Sequence, residues 1–169
     1  MAPNPILCSQ TFWDFSLSIY GDKEVQMILL HLQDKYQCNV NMLLFMIYLT
    51  RLQISLNHQQ CKLLIEGLHA SEKELSEFRE QRRAAKLGSQ HDASLLATYE
   101  GLLSDELVLE KKQQALLVNL CQSLLMNDQD ASESSKELIS NLLVYVTCIQ
   151  SSGNVAIPSN LIRELEQHV

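Results

Sequence analysis

Residues 40–52 read VNMLLFMIYLTRL, and this stretch decides the fold. Val40, Met42 to Leu49 and Leu52 are all apolar, so a helix through them is greasy on nearly every side. Such a helix must be surrounded by others. A strand is the competing reading, but the run is too long and too rich in Leu and Met. The spacing predicts a central core helix over 40–53, capped by Asn39.

Working outward, the neighbouring segments also read as helices. TFWDFSLSIY at 11–20 predicts a short helix capped by Thr11, with Phe12, Phe15 and Ile19 on one face and Gly21 at its end. Residues 1–10 are expected to be a flexible N-terminus. Asp22 offers the next cap, ahead of the apolar stripe Val25, Ile28, Leu29, Leu32 and Tyr36. Asn57 and Gln60 have capping-box spacing before Cys61, Leu64, Ile65 and Leu68. Ser71 and Glu74 repeat that spacing and predict a charged fifth helix closed by Gly88, although one bent helix over 57–87 also fits.

Residues 92–126 predict one long helix. Leu95, Leu102, Leu109 and Leu116 recur every seven residues, with Tyr99, Glu106, Gln113 and Leu120 on the adjacent track. Gly101 weakens it by about 1 kcal/mol relative to Ala. NDQDASE at 127–133 reads as an acidic loop, and Ser134 with Glu137 as another cap. Leu138, Leu142, Tyr145, Val146 and Ile149 face the core from the following helix. SSGN at 151–154 ends it, and Pro158 starts a short C-terminal helix. The expected fold is all-α: a single-domain helical bundle of six to eight helices spanning 1–169.

Composition agrees. Of 169 residues, 46% are hydrophobic and only 5 are Gly and 3 Pro, so element interiors are nearly free of breakers. The net charge of −7 favours solubility and disfavours DNA and anionic membranes as partners. Five cysteines, none in a CxxC pair, suit a reducing compartment. MAPNPILCSQ has no signal-peptide character, and no run of about 20 apolar residues could span a bilayer. A cytoplasmic location is expected.

FWDFSLSIY at 12–20 and LHLQDKYQCNVNMLLF at 30–45 carry a resemblance. They are similar to the pattern FW-x-FS-L-x-x-Y, LQD, VN-x-LLF of a family of small gammaproteobacterial proteins classed as a domain of unknown function. Phe12, Trp13, Phe15, Ser16, Leu17 and Tyr20 match the first block. Leu32, Gln33 and Asp34 match the second, and Val40, Asn41, Leu43, Leu44 and Phe45 the third. Arg79, Arg82 and Arg83 meet a later R-x-x-RR. Gln37, Cys38 and Asn39 stand where the pattern has a Gly-x-Asp turn. The resemblance implies a bacterial cytoplasmic helical protein and supplies no activity.

Two places stand out as candidate sites. Gln33, Asp34 and Asn41 meet at a helix junction and, with Trp13, are candidate ligand-binding residues. The competing explanation is that they satisfy orphan backbone groups at helix ends. Asn41 lies within the most apolar stretch and must find partners. Arg79, Arg82, Arg83 and Lys86 form a basic stripe, a candidate partner-binding surface, unless the helix's own Glu72, Glu74, Glu77 and Glu80 neutralise it.

Other constellations are weaker. Glu66 and His69 have di-iron spacing but no second such pair, so no metal or cofactor is expected. His58 and Cys61 lack an orienting third group, and Cys61 belongs to the core stripe. His31 reads as a surface residue. Glu106 and Gln113 read as the point where the long helix's seam turns to solvent, with a buried polar pair as the alternative. Phe12, Trp13 and Phe15 are expected to be buried in the chain's own core, with burial in a partner's groove as the alternative. No catalytic constellation and no Asp-rich diphosphate motif is present. The leading functional expectation is a non-enzymatic helical interaction protein that binds a protein partner, with RNA less favoured. The alternative is a small-molecule pocket, or an enzyme, near 33–41. The sequence leaves the oligomeric state open.

Overall fold

The computed structural model describes residues 7–127, 140–153 and 156–169. Among them are seven α-helices: α1 Ser9–Tyr20, α2 Lys23–Tyr36, α3 Val40–Arg51, α4 His58–Ser89, α5 Leu96–Asn127, α6 Asn141–Ser152 and α7 Ser159–His168. A short 3-10 turn, Ala93–Leu95, precedes α5. The fold is an all-α bundle. No described helix is long and apolar enough to cross a membrane.

Helix α3 sits at the centre, as its composition demands. Every residue from Asn41 to Leu49 is buried, against α1, α2, α5 and α6. Each large side chain so buried contributes roughly 1.5–3 kcal/mol. Asn39 caps the helix by accepting from the Met42 N–H at 2.8 Å. The helix stops two residues short of the expected 53. Gln53 takes a left-handed conformation, φ 58°, and the Ile54 N–H returns to the Leu49 carbonyl at 2.9 Å. That closing turn satisfies carbonyls the helix would leave bare.

Two local signals were overridden. Thr11 does not cap α1, which begins at Ser9 after Cys8. The Thr11 hydroxyl instead bonds the Cys8 carbonyl at 3.0 Å and the Tyr48 hydroxyl at 2.6 Å, a tertiary contact that competes with capping. The chain is packed from Leu7, which is buried and whose carbonyl accepts from Gln122 Nε2 at 2.8 Å. Residues 1–6 of the expected flexible terminus lie outside the described residues. Ser71 and Glu74 open no helix either, because α4 runs unbroken for 32 residues. The Ser71 hydroxyl donates to the Leu68 carbonyl within the same helix. Cys61, Leu64, Leu68 and Leu75 are one continuous buried stripe, so packing carries the helix through.

Asp22 and the Asn57–Gln60 capping box behave as the sequence predicts. So does the α2 stripe, all five of whose residues are buried. Helices α4 and α5 pack chiefly on each other, and the chain reverses between them through the 3-10 turn. Helix α4 ends at Ser89 rather than Gly88. At Gly88 the turn comes so close that a Cβ would meet Leu95 Cδ1 at 2.7 Å. Before Glu106 on α5, and after Leu75 on α4, no described residue of these helices is fully buried.

Helix α6 closes the core with Leu142, Val144, Tyr145, Val146 and Cys148. Asn141 staples the α3–α4 connection, accepting from the Leu56 N–H and donating to the Ile54 carbonyl. Pro158 precedes α7, which buries Ile162 and Leu165. The acidic loop beyond Asn127, the Ser134–Glu137 cap and Leu138 of the expected stripe lie outside the described residues.

Candidate functional site

The site begins with a chain of polar groups through the interior. Ser16 on α1 donates to Gln114 Oε1 on α5 at 3.3 Å. Gln114 Nε2 donates to Asn41 Oδ1 on α3 at 2.9 Å, and Asn41 Nδ2 to Gln113 Oε1 at 2.9 Å. Gln113 Nε2 then donates to Ser71 Oγ at 3.0 Å and to Glu72 Oε2 at 3.2 Å, both on α4. Each amide passes its hydrogen bond in the same direction, and the chain ends on a carboxylate. Aligned bonds of this kind polarise one another. Asn39 also donates to Gln113 and to Glu72. Among the described residues, no buried side-chain nitrogen or oxygen lacks a partner. Asn41, the polar residue inside the greasiest helix, is thereby accounted for.

Glu72 leads to an ion cluster. Arg79 places its Nη1 3.1 Å from Glu72, its Nε 3.6 Å from Glu106 and its Nη2 3.6 Å from Glu110. Arg82 Nε pairs with the other oxygen of Glu106. Burial holds the Glu110 carboxyl above the usual carboxylate range; Arg79 opposes the shift and Glu106 adds to it.

This geometry corrects two expectations. Glu106 and Gln113 do not mark where the seam meets solvent; they are 9% and 1% exposed. The heptad leucines beside them are the half-buried track. The basic stripe is not one solvated face either. The Arg79 and Arg82 side chains are only 11% and 23% exposed, because the buried Glu106 on the facing helix draws them in. Arg83 and Lys86 remain exposed. Of the acids expected to neutralise the stripe, Glu72 does so; Glu74, Glu77 and Glu80 are exposed and make no ion pair among the described residues.

Above the cluster opens a cleft of about 340 Å³. Its lining brings together what the sequence kept apart: Trp13, Gln33, Asp34 and Asn41 from the junction, and Arg79, Arg82 and Arg83 from the stripe. Lys86 is not among the lining residues. Leu17, Tyr20, Leu30, Leu44 and Leu107 supply apolar wall, and Leu17, Leu30 and Leu107 are exposed there. The aromatic cluster divides. Phe12 is fully buried, 5.0 Å from the Phe45 ring and 5.1 Å from Tyr48. Phe15 packs on Tyr48 at 5.3 Å. Trp13 is instead half-buried at the cleft, with Lys111 Nζ 5.5 Å from its ring centre.

A family model matches residues 11–117; it describes a protein of unknown function, DUF2390. The chain belongs to this family. No curated protein and no solved structure matches it. The DUF2390 span encloses every residue lining the cleft, from Trp13 to Gln114, and leaves α6 and α7 outside.

The remaining candidates do not assemble. Glu66, His69, His31 and His58 are exposed. Cys61 is fully buried, and burial, with Cys148 beside it, pushes its thiol far up. Among the described residues no cluster of His, Cys, Asp or Glu is arranged to hold a metal ion. No histidine or cysteine lines the cleft, and its Ser16 hydroxyl is engaged with the Phe12 carbonyl and Gln114. Burial keeps the Tyr20 phenol above its usual value, so it serves as a neutral hydrogen-bonding group. The arrangement offers recognition by guanidinium forks, amides and apolar wall. Sequence reasoning missed Tyr20 at the end of α1 and Leu107, Glu110 and Gln114 on α5; the last three reach the cleft through the packing of α5 against the other helices, which no local signal shows.

Proposed function

We propose that this chain is a non-covalent small-molecule-binding domain and that the cleft between α1, α2, α3, α4 and α5 holds its ligand. The observation that carries the reading is convergence: residues from five helices meet around one concavity that mixes apolar wall with a few charged groups. Ligand pockets share that composition. The test is native mass spectrometry of untagged protein expressed in bacterial cells, beside a Trp13→Ala variant. The reading expects a small molecule retained by the wild type and lost from the variant, with helicity unchanged. Identical spectra without bound mass would count against it.

A second reading, an interaction protein for a protein partner, is favoured by one observation. The paired outer halves of α4 and α5 expose Leu87, Leu96, Leu103 and Val108. RNA suits this acidic chain less well. Pull-down with a Leu96→Glu, Leu103→Glu variant tests it; unchanged partner recovery sinks it. An Arg83→Ala, Lys86→Ala variant is the clean probe of the stripe, since removing Arg79 or Arg82 strips buried carboxylates of their counter-ions. The five free cysteines support a reducing, cytoplasmic setting for either reading.

A further inference from the structure

We infer that the cleft takes an organic anion, with a carboxylate or phosphate group held by Arg82 and Arg83 and an aromatic or branched apolar body against Trp13 and its neighbouring leucines. This rests on the cleft being a ligand site. All three guanidinium nitrogens of Arg79 face carboxylates of the chain itself, so its charge is already balanced within the protein. Arg82 is different: its Nε is engaged by Glu106, while its two terminal nitrogens make no hydrogen bond or ion pair among the described residues. Arg83, next to it on the cleft wall, makes none with any of its nitrogens. Two adjacent guanidinium groups therefore present open N–H edges to one concavity. Planar forks of this kind match carboxylate and phosphate oxygens.

The rest of the lining fixes the ligand's orientation. The polar floor is spent internally. Ser16 and Asn41 bond Gln114, and Asn41 also bonds Gln113, so those side chains are committed within the protein. Asp34 lies on another wall, contributed by α2, and repels an anion placed beside it. The charged end is thereby directed to the α4 wall. Trp13 and Leu17 on α1 and Leu30 on α2 receive the body. Glu106 and Glu110, the acids on the α5 wall, do not cancel the site, because they already face Arg79 and Arg82.

Isothermal calorimetry on the full chain tests this with probes that share one body. These are phenylpropanoate, phenyl phosphate, the neutral phenylpropanamide and the cationic phenethylamine, with acetate and inorganic phosphate as headgroups alone. The expected result is that at least one aromatic anion binds about tenfold or more tighter than the amide. Arg83→Gln should weaken that anion several-fold, toward the amide's affinity, and leave the amide unchanged. The tighter of the two anions names the headgroup. Equal binding of anion and amide, or tighter binding of the amine, overturns the anion inference and leaves the cleft reading standing. Headgroups that bind as well as the complete probes overturn the role of the apolar body. Absence of binding by every probe at millimolar concentration overturns both.

Discussion

Replacing Gln113 with leucine tests the interior polar chain. The side chain makes four hydrogen bonds: it accepts from Asn39 and Asn41 and donates to Ser71 and Glu72. Three of those partners keep a second bond. Asn39 still reaches Glu72, Ser71 still reaches the Leu68 carbonyl, and Glu72 still faces Arg79. Asn41 Nδ2 is left bare inside the protein, which costs about 1–3 kcal/mol. The weakened bonds add about 1 kcal/mol, and the extra apolar burial of leucine offsets part of it. The net expectation is about 2–3 kcal/mol lost, or roughly 4–12 °C in melting temperature for a chain of this size. Urea unfolding followed by circular dichroism measures it. Asn41→Leu added to Gln113→Leu removes the bare donor, and Gln114, which lines the cleft, can turn to water there. The double variant should therefore be less destabilised than the sum of the singles by about 1 kcal/mol or more. Simple additivity, or a single-variant cost under about 0.5 kcal/mol, would refute the reasoning.

Other predictions follow from the same geometry. Burial holds the Glu110 carboxyl high, so the folded state retains a proton that the unfolded state has released. Stability should thus fall as pH rises from the ordinary Glu value through the raised one, and level off above it. The wild-type minus Glu110→Gln difference in urea midpoint across pH 4–8 isolates that slope, and a difference of opposite sign would contradict it. Gln37 ends α2 with φ 56°, a left-handed conformation that glycine adopts without strain. Gln37→Gly should stabilise by about 0.5–1 kcal/mol, read as a higher urea midpoint. Cys38, Cys61, Cys121 and Cys148 are buried, and burial drives the Cys38 thiol up to about 11 and Cys121 to about 12. Cys8 is half-exposed, and backbone N–H groups at the start of α1 lower it. An Ellman titration of native protein should label Cys8 rapidly and the other four only in denaturant.

The core was legible because its signals were redundant. From Val40 to Leu49 almost every position is apolar, so no rotation of the helix could expose it, and the α2 stripe and three caps each had one stable solution. The failures came where a local signal met a tertiary competitor. Ser71 and Glu74 look like a capping box, yet Leu75 continues the stripe of Leu64 and Leu68 and holds the helix together. Thr11 looks like a cap, yet Tyr48 claims its hydroxyl. Glu106 in a leucine seam reads as an exit to water until its neighbours are known. Those neighbours, Arg79 and Arg82, lie on another helix, and only the reversal between α4 and α5 aligns them. The same reversal explains the site. Its two halves were visible as the 33–41 junction and the 79–83 stripe, but nothing local says that they face each other.

Trp13 is the chain's only tryptophan and lines the cleft, so its emission reports occupancy of that cleft directly. The measurement is a titration of Trp13 fluorescence, with acrylamide quenching, against phenylpropanoate and phenyl phosphate, neither of which contains an indole. The cleft account predicts a saturable change in emission and a fall in quenching as the ligand covers the ring. Emission and quenching that stay constant to millimolar ligand would contradict it.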